Sequence, residues 1–218
     1  MIPHRVNPFF TPGSPIDGIV LALDLRYPGG MDLLPEPLVG EFTLAVLPQR
    51  AIRPLLGLAA RLALRAPLRV LDGGNCFNAY VVAMALRVHT IDVDGALERI
   101  HVARAFTCYQ MVTLLGETPA TPVATLVLDL LATFRDETVP ELERRRLLQG
   151  CLQRVQLLAV AAPLLVSASP DSGPPMSGRS TRHKPSPRDE LLGMLEKAAG
   201  QVWRFGPPPP APVLRLFE

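Results

Sequence analysis

Aromatic side chains are scarce in this sequence: they make up 6% of 218 residues, with a single tryptophan. Any core must therefore be packed mainly by Leu, Val and Ala, which dominate the 48% of the chain that is apolar. Cysteine is rarer still. Cys76, Cys108 and Cys151 are odd in number, far apart and without a CxxC pair, which argues against a disulfide framework and for free thiols in a reducing cytoplasm. Neither charge sign dominates. A formal net charge of +2 implies no polyanion partner by itself, so only a local cluster could bind one. Long apolar runs are missing as well. The most apolar stretch, 155–166, holds Gln156 and Pro163 and is too short to cross a membrane. The opening MIPHRVNPFFTPGSP lacks the continuous apolar stretch of a signal peptide. The expectation is a cytoplasmic protein with no membrane partner.

Proline is what the chain has in excess. Its 24 copies are about twice the usual ~5% share, and many fall before position 40 or after Ser169, marking both ends as loop-rich. Between them the chain organises around LRVLDGGNCFNAY, positions 68–80. A short apolar run stops at Asp72 and turns through Gly73 and Gly74 into a helical segment. A buried parallel strand delivers an acidic residue to the carboxyl edge of a sheet in this way, where open α/β folds bind ligands. The same move recurs at TLVLD, ending at Asp129, and at PLLVSAS, ending in small polar residues.

In order, strands are expected at 16–27, 41–47, 68–72, 100–103, 125–129, 164–167 and 201–205. Helices are expected at 55–64, 77–88, 94–99, 105–115, 140–159 and 188–199, from helical spacing of apolar residues and their flanking breakers. Residues 201–205 and 213–217 could form a terminal hairpin across the polyproline turn. This alternation predicts an α/β fold with a mostly parallel sheet covered on both faces and Pro-rich extensions at both ends. The chain divides into a Pro-rich arm and leading strand (1–39), a core (40–169), a flexible basic loop (170–187) and a C-terminal helix and tail (188–218).

The order VLDGGNCF, ALERIHVARAF, TLVLDLLATFRDE, RRRLLQGCLQRVQLLA and PLLVSAS resembles the RecA-type recombinase core, shared by archaeal and eukaryotic recombinases and KaiC-like ATPases. The resemblance covers roughly positions 40–169, and VARAF (102–106) is its best single piece. It implies a RecA-like sheet, a Walker B strand ending at Asp129 and a DNA transaction such as recombination, repair or replication as the setting.

The departures from that family carry the functional reading. A phosphate cradle needs glycine-rich backbone amides, a lysine and a Ser or Thr. The matching loop is PQRAIRP (48–54), without any of these, and Pro48 and Pro54 each remove an amide donor. Arg50 and Arg53 are the charges left there. The family's water-orienting glutamate falls at Gly74, and its sensor-strand amide falls at Ser167, with Ser169 beyond. Asp129 alone survives as a possible Mg²⁺ ligand. A catalytically inactive, ATPase-like fold follows, with no cofactor, no resident metal and no small-molecule substrate expected. The alternatives are an unconventional NTPase using Arg50, Arg53, Asp72 and Asp129, or a purely structural interaction module.

Other candidate groups have plainer readings. Strand-end Asp72 and Asp129 more often cap a turn than bind metal. The histidines His4, His89, His101 and His183 show no metal-ligand spacing. The three cysteines read as core packing on apolar helical faces, and Arg144–Arg146 reads as a solvated helix face. No GxSxG is present. One basic cluster stands out: Arg179, Arg182, His183, Lys184 and Arg188, in a Ser/Gly/Pro-rich segment where the resembling family contacts single-stranded DNA. Recombinases of this type also assemble through short segments with an aromatic anchor, for which Phe9 and Phe10 are candidates toward a protein partner.

Overall fold

The computed structural model describes residues 19–23, 34–48, 51–170 and 187–205, with backbone only at 19–23, 187 and 188. The α/β class expected from the sequence is the one observed. Seven strands, β1 (Ile19–Leu23), β2 (Thr43–Val46), β3 (Leu68–Asp72), β4 (Ile100–Arg104), β5 (Ala124–Leu128), β6 (Leu164–Ala168) and β7 (Gln201–Phe205), form one sheet in the order β1-β7-β2-β6-β5-β3-β4. Every pairing is parallel. The helices are α1 (Arg53–Ala63), α2 (Ala79–Leu86), α3 (Val93–Glu98), α4 (Cys108–Glu117), α5 (Glu141–Ala161) and α6 (Pro187–Ala198), with a short 3-10 turn at Leu130–Phe134. The Pro-rich ends lie outside the described residues, as do positions 213–217. Both edges of β7 are taken, by β1 and β2, so 201–205 is an interior strand and not one arm of a hairpin.

Right-handed crossovers sort the helices between the two faces. The connections β2–β3 and β3–β4 run one way along the sheet and carry α1, α2 and α3. The connections β4–β5, β5–β6 and β6–β7 run the other way and carry α4, α5 and α6. The core divides accordingly. Leu55, Leu58, Val82 and Leu86 pack with Ala45, Leu68, Val70, Leu165 and Trp203 on one side. Met111, Leu115, Leu148, Val155 and Leu195 pack with Leu44, Val46, Leu71, Val127 and Val166 on the other. All four residues of β2 and all five of β6 are buried, as strands covered on both faces should be.

Helix ends are satisfied by specific side chains. The Asn78 Oδ1 accepts the Val81 amide at 3.2 Å to start α2. The Thr107 Oγ1 accepts the Gln110 amide at 3.2 Å to start α4. The Arg99 guanidinium donates to the Ala63 carbonyl at 3.2 Å. Arg154 donates through Nε to the Leu115 carbonyl at 3.0 Å and through its terminal nitrogen to the Thr118 carbonyl. Arginines thus close the carboxyl ends of α1 and α4, where lone-pair-rich carbonyls favour a cation. The Arg144–Arg146 segment is tied into the structure. Arg145 pairs with Glu141 at 2.8 Å and with Glu190 of α6, Arg146 pairs with Glu143, and Arg144 donates to the Phe134 carbonyl. Among the described residues, no helix is long and apolar enough to cross a membrane.

All three cysteines are free thiols. Cys108 and Cys151 are buried between α4 and α5 as core residues, whereas Cys76 lies on the loop before α2 and not on a helical face. Burial, with a smaller contribution from neighbouring Cys108, pushes the Cys151 thiol up to about 12. Ionisation is thus disfavoured in the fold, so this contribution to stability is complete below pH ~9 and is lost as pH rises toward ~12. At pH 8 an aromatic disulfide reagent should titrate Cys76 promptly in the native protein. Cys108 and Cys151 should react only after denaturant is added; prompt labelling of all three would contradict this packing.

Candidate functional site

Two neighbouring strand pairs send their following segments to opposite faces of the sheet: β2 with β6, and β3 with β5. Crevices open at such switch points. The β3/β5 switch point holds Asp72 and Asp129, both buried.

Asp72 ends β3 and turns its carboxylate back on the loop that follows. Its Oδ1 accepts the Cys76 amide at 2.9 Å and its Oδ2 accepts the Phe77 amide at 3.0 Å. The half-exposed Arg104, directly opposite in register on β4, reaches the same Oδ2 at 3.4 Å. The plainer expectation for this carboxylate, capping of a turn, is the geometry found.

Asp129 follows β5 in the left-handed region, φ 46° and ψ 59°, a conformation that Asn and Asp tolerate better than other non-glycine residues. Its amide donates to the Ser167 hydroxyl at 2.8 Å. Its Oδ1 accepts the Ser169 amide at 3.1 Å, and its Oδ2 meets Arg135 at 3.4 Å. Ser167 and Ser169 are therefore partners of Asp129, binding β6 to β5 at the working edge.

Gly74 lies between the two carboxylates. The Gly73 and Gly74 amides both donate to the Leu128 carbonyl, at 2.8 and 3.3 Å. A side chain at position 74 would start 2.6 Å from the Asp129 Cβ and 2.5 Å from the Cys76 sulfur. Glutamate is thus not merely missing there: the loop is drawn so tightly against Asp129 that no side chain fits without displacement. Asn75, next along, takes φ 52° and completes the turn.

The β2/β6 switch point leads through positions 47–52 into α1. The Ala51 amide bonds the Pro48 carbonyl at 2.7 Å, and the Leu55 amide bonds the Ile52 carbonyl at 2.9 Å. Pro54 has no amide hydrogen, and α1 has no side-chain cap. Among the described residues here, the Ala51, Leu55 and Leu56 amides are thus engaged within the loop and the first turn. A shallow, open cleft of about 350 Å³ separates this end of α1 from the β3–α2 loop, lined by Ile52, Arg53, Leu56, Asn75, Asn78 and Val81 together with Cys76. Arg53 is exposed at its rim.

Of the residues singled out in the sequence, the structure gathers Asp72, Gly74, Asp129 and Ser167 at one sheet edge and sets Arg53 beside the neighbouring cleft. Arg50, Arg179, Arg182, His183, Lys184, Phe9 and Phe10 lie outside the described residues. Arg188 falls within α6, with its side chain not described. Arg104 and Arg135 were not singled out as site residues. Arg104 could be found only by knowing that β4 pairs with β3 in the Asp72–Arg104 register, and Arg135 only from the compact 3-10 turn that returns it to Asp129. Among the described residues, no group of three or more His, Cys, Asp and Glu could hold a metal ion. No protein-family model matches the chain, and no curated protein matches it significantly.

Substitutions should separate structural from chemical roles here. Gly74→Ala should destabilise the fold by roughly 1–3 kcal/mol through overpacking, measured as a lower urea midpoint. Asp129→Asn should be milder than Asp129→Ala, because Asn keeps both the left-handed backbone and an oxygen for the Ser169 amide. Equal losses for the two would reject this account of Asp129.

Proposed function

We propose that the chain is a RecA-like protein that does not hydrolyse nucleotide and serves as an accessory or partner subunit in DNA recombination, repair or replication. The observation that carries the reading is the close approach of Gly74 to Asp129, which fills the place where a water-orienting acid would have to stand. Two further features support it. The carboxylates that could serve metal or proton chemistry are engaged on both oxygens by backbone amides and arginines. The described Ala51 and Leu55 amides at the start of α1 bond their own loop, and Pro54 offers none. Free thiols at Cys76, Cys108 and Cys151 are in keeping with a reducing, cytoplasmic setting.

Binding then takes the place of catalysis. The basic residues Arg179, Arg182, His183 and Lys184 fall in the sequence between β6 and α6, with Arg188 in the first turn of α6, and their charge suits the phosphates of single-stranded DNA. Phe9 and Phe10 in the Pro-rich arm suit a protein partner with an apolar pocket. The DNA setting rests on the RecA resemblance, and the inactive site on the geometry.

Calorimetric titration with Mg²⁺–ATP should give no micromolar binding and no phosphate release; micromolar affinity with turnover would overturn the inactive reading. For DNA, anisotropy of a labelled single strand should show binding that weakens as salt rises from about 50 to about 200 mM. Replacing Arg179, Arg182 and Lys184 with Ala should lower the log–log salt slope by about 2. Absence of binding, or a slope untouched by the triple variant, would refute the DNA part alone.

A further inference from the structure

We propose that a second copy of this chain docks on β4, joining two sheets edge to edge in an antiparallel, two-fold-symmetric dimer. Among the described residues, β4 ends the sheet and pairs with β3 alone. The Leu68 amide donates to the Arg99 carbonyl and the Ala105 amide donates to the Asp72 carbonyl, so residues 99 and 105 turn their backbone groups toward β3. Alternation along a strand then aims those of 101 and 103 the same way. The amides and carbonyls of Ile100, Val102 and Arg104 point outward.

That outward set is self-complementary. It is centred on Val102, with one outward residue on each side at equal spacing. A two-fold axis through Val102 makes it a hydrogen-bonded pair with its own copy, each exchanging N–H and C=O with the other. In the same register Ile100 of one copy faces Arg104 of the other, and the reverse, while His101 faces Ala103. No like charges oppose each other. The two Arg104 side chains sit at opposite ends of the junction, each already paired with its own buried Asp72.

The edge lacks two of the usual protections. IHVAR has no proline or lysine, which blunt exposed edges elsewhere. Two exposed large apolar residues, Phe106 at 67% exposure and Tyr109, follow directly after the strand. Val102 itself is 39% exposed. It shares a face with Ile100, which packs on the α1–α3 side, so the two Val102 side chains would meet on that face. Exposed apolar side chains on and just beyond an edge strand suit an association surface.

The test is oligomeric state by light scattering and sedimentation on the full chain. Wild type should show a concentration-dependent mass approaching twice the 23.7 kDa of one chain. Val102→Pro removes an outward amide without touching a bond to β3, a placement edge strands accept. It should weaken dimerisation at least about tenfold with an unchanged circular dichroism spectrum. Should the proline variant fail to fold, Val102→Lys provides the second arm, since it sets two ammonium groups face to face across the axis and should give monomer. A wild type that stays monomeric at about 0.1 mM, well above a micromolar Kd, overturns the proposal. So does a dimer that survives Val102→Lys unchanged, which would place the contact elsewhere. Because neither variant touches the Asp129 edge or the basic segment, these outcomes are independent of nucleotide and DNA binding.

Discussion

Much of this molecule is fixed by one close approach: the loop after β3 runs against Asp129 with no room for a side chain between them. The Leu128 carbonyl holds the Gly73 and Gly74 amides, the Asp72 carboxylate holds the Cys76 and Phe77 amides, and Asp129 reaches across to Ser169. Three strands are tied at their carboxyl ends by these bonds. The groups involved are buried and polar, so each lost partner would leave a desolvated donor or acceptor, a cost well above that of a surface contact. Both carboxylates bond the protein's own backbone amides.

The arginines at this edge follow the same logic. Arg104 and Arg135 each place one side of a half-exposed guanidinium on a buried carboxylate. Neutralising Asp72 and Asp129 in this way removes the charge that would otherwise draw a cation to the switch point. Away from the edge, Arg99 and Arg154 spend their charge on helix carbonyls. The described arginines of the core thus serve mainly inward partners.

The sequence made the architecture readable for a physical reason. Strands buried on both faces read as short apolar runs with sharp ends, and helices of this length read by their spacing, so each strand and helix was recognised to within a few residues. Asp72 as a turn cap was legible from the glycines that follow it. What sequence could not supply was proximity. That position 74 is closed by Asp129, and that Ser167 is occupied by the Asp129 amide, depends on β3, β5 and β6 being neighbours, which no local pattern encodes. Gly74 could be seen to lack a side chain; that it has no space for one could not. Cys76 lies not on a helical face but in the Gly/Asn-rich loop before α2, whose N-cap, Asn78, comes two residues later.

The strand order also constrains how the chain acquires its shape. Among the described residues β1 has a single partner, β7, and the pairing joins Ile19 to Gln201, nearly opposite ends of the sequence. A nascent polypeptide emerging from the ribosome therefore carries an early strand with nothing to zip against until almost everything else has been made. The central strands β2 to β6 can condense with α1, α4 and α5 well before that, leaving the sheet's left margin as the final piece to close. Such long-range closure is entropically slow and leaves apolar strand surface exposed meanwhile, so the late-arriving β7, with Trp203 at its middle, acts as the latch of assembly.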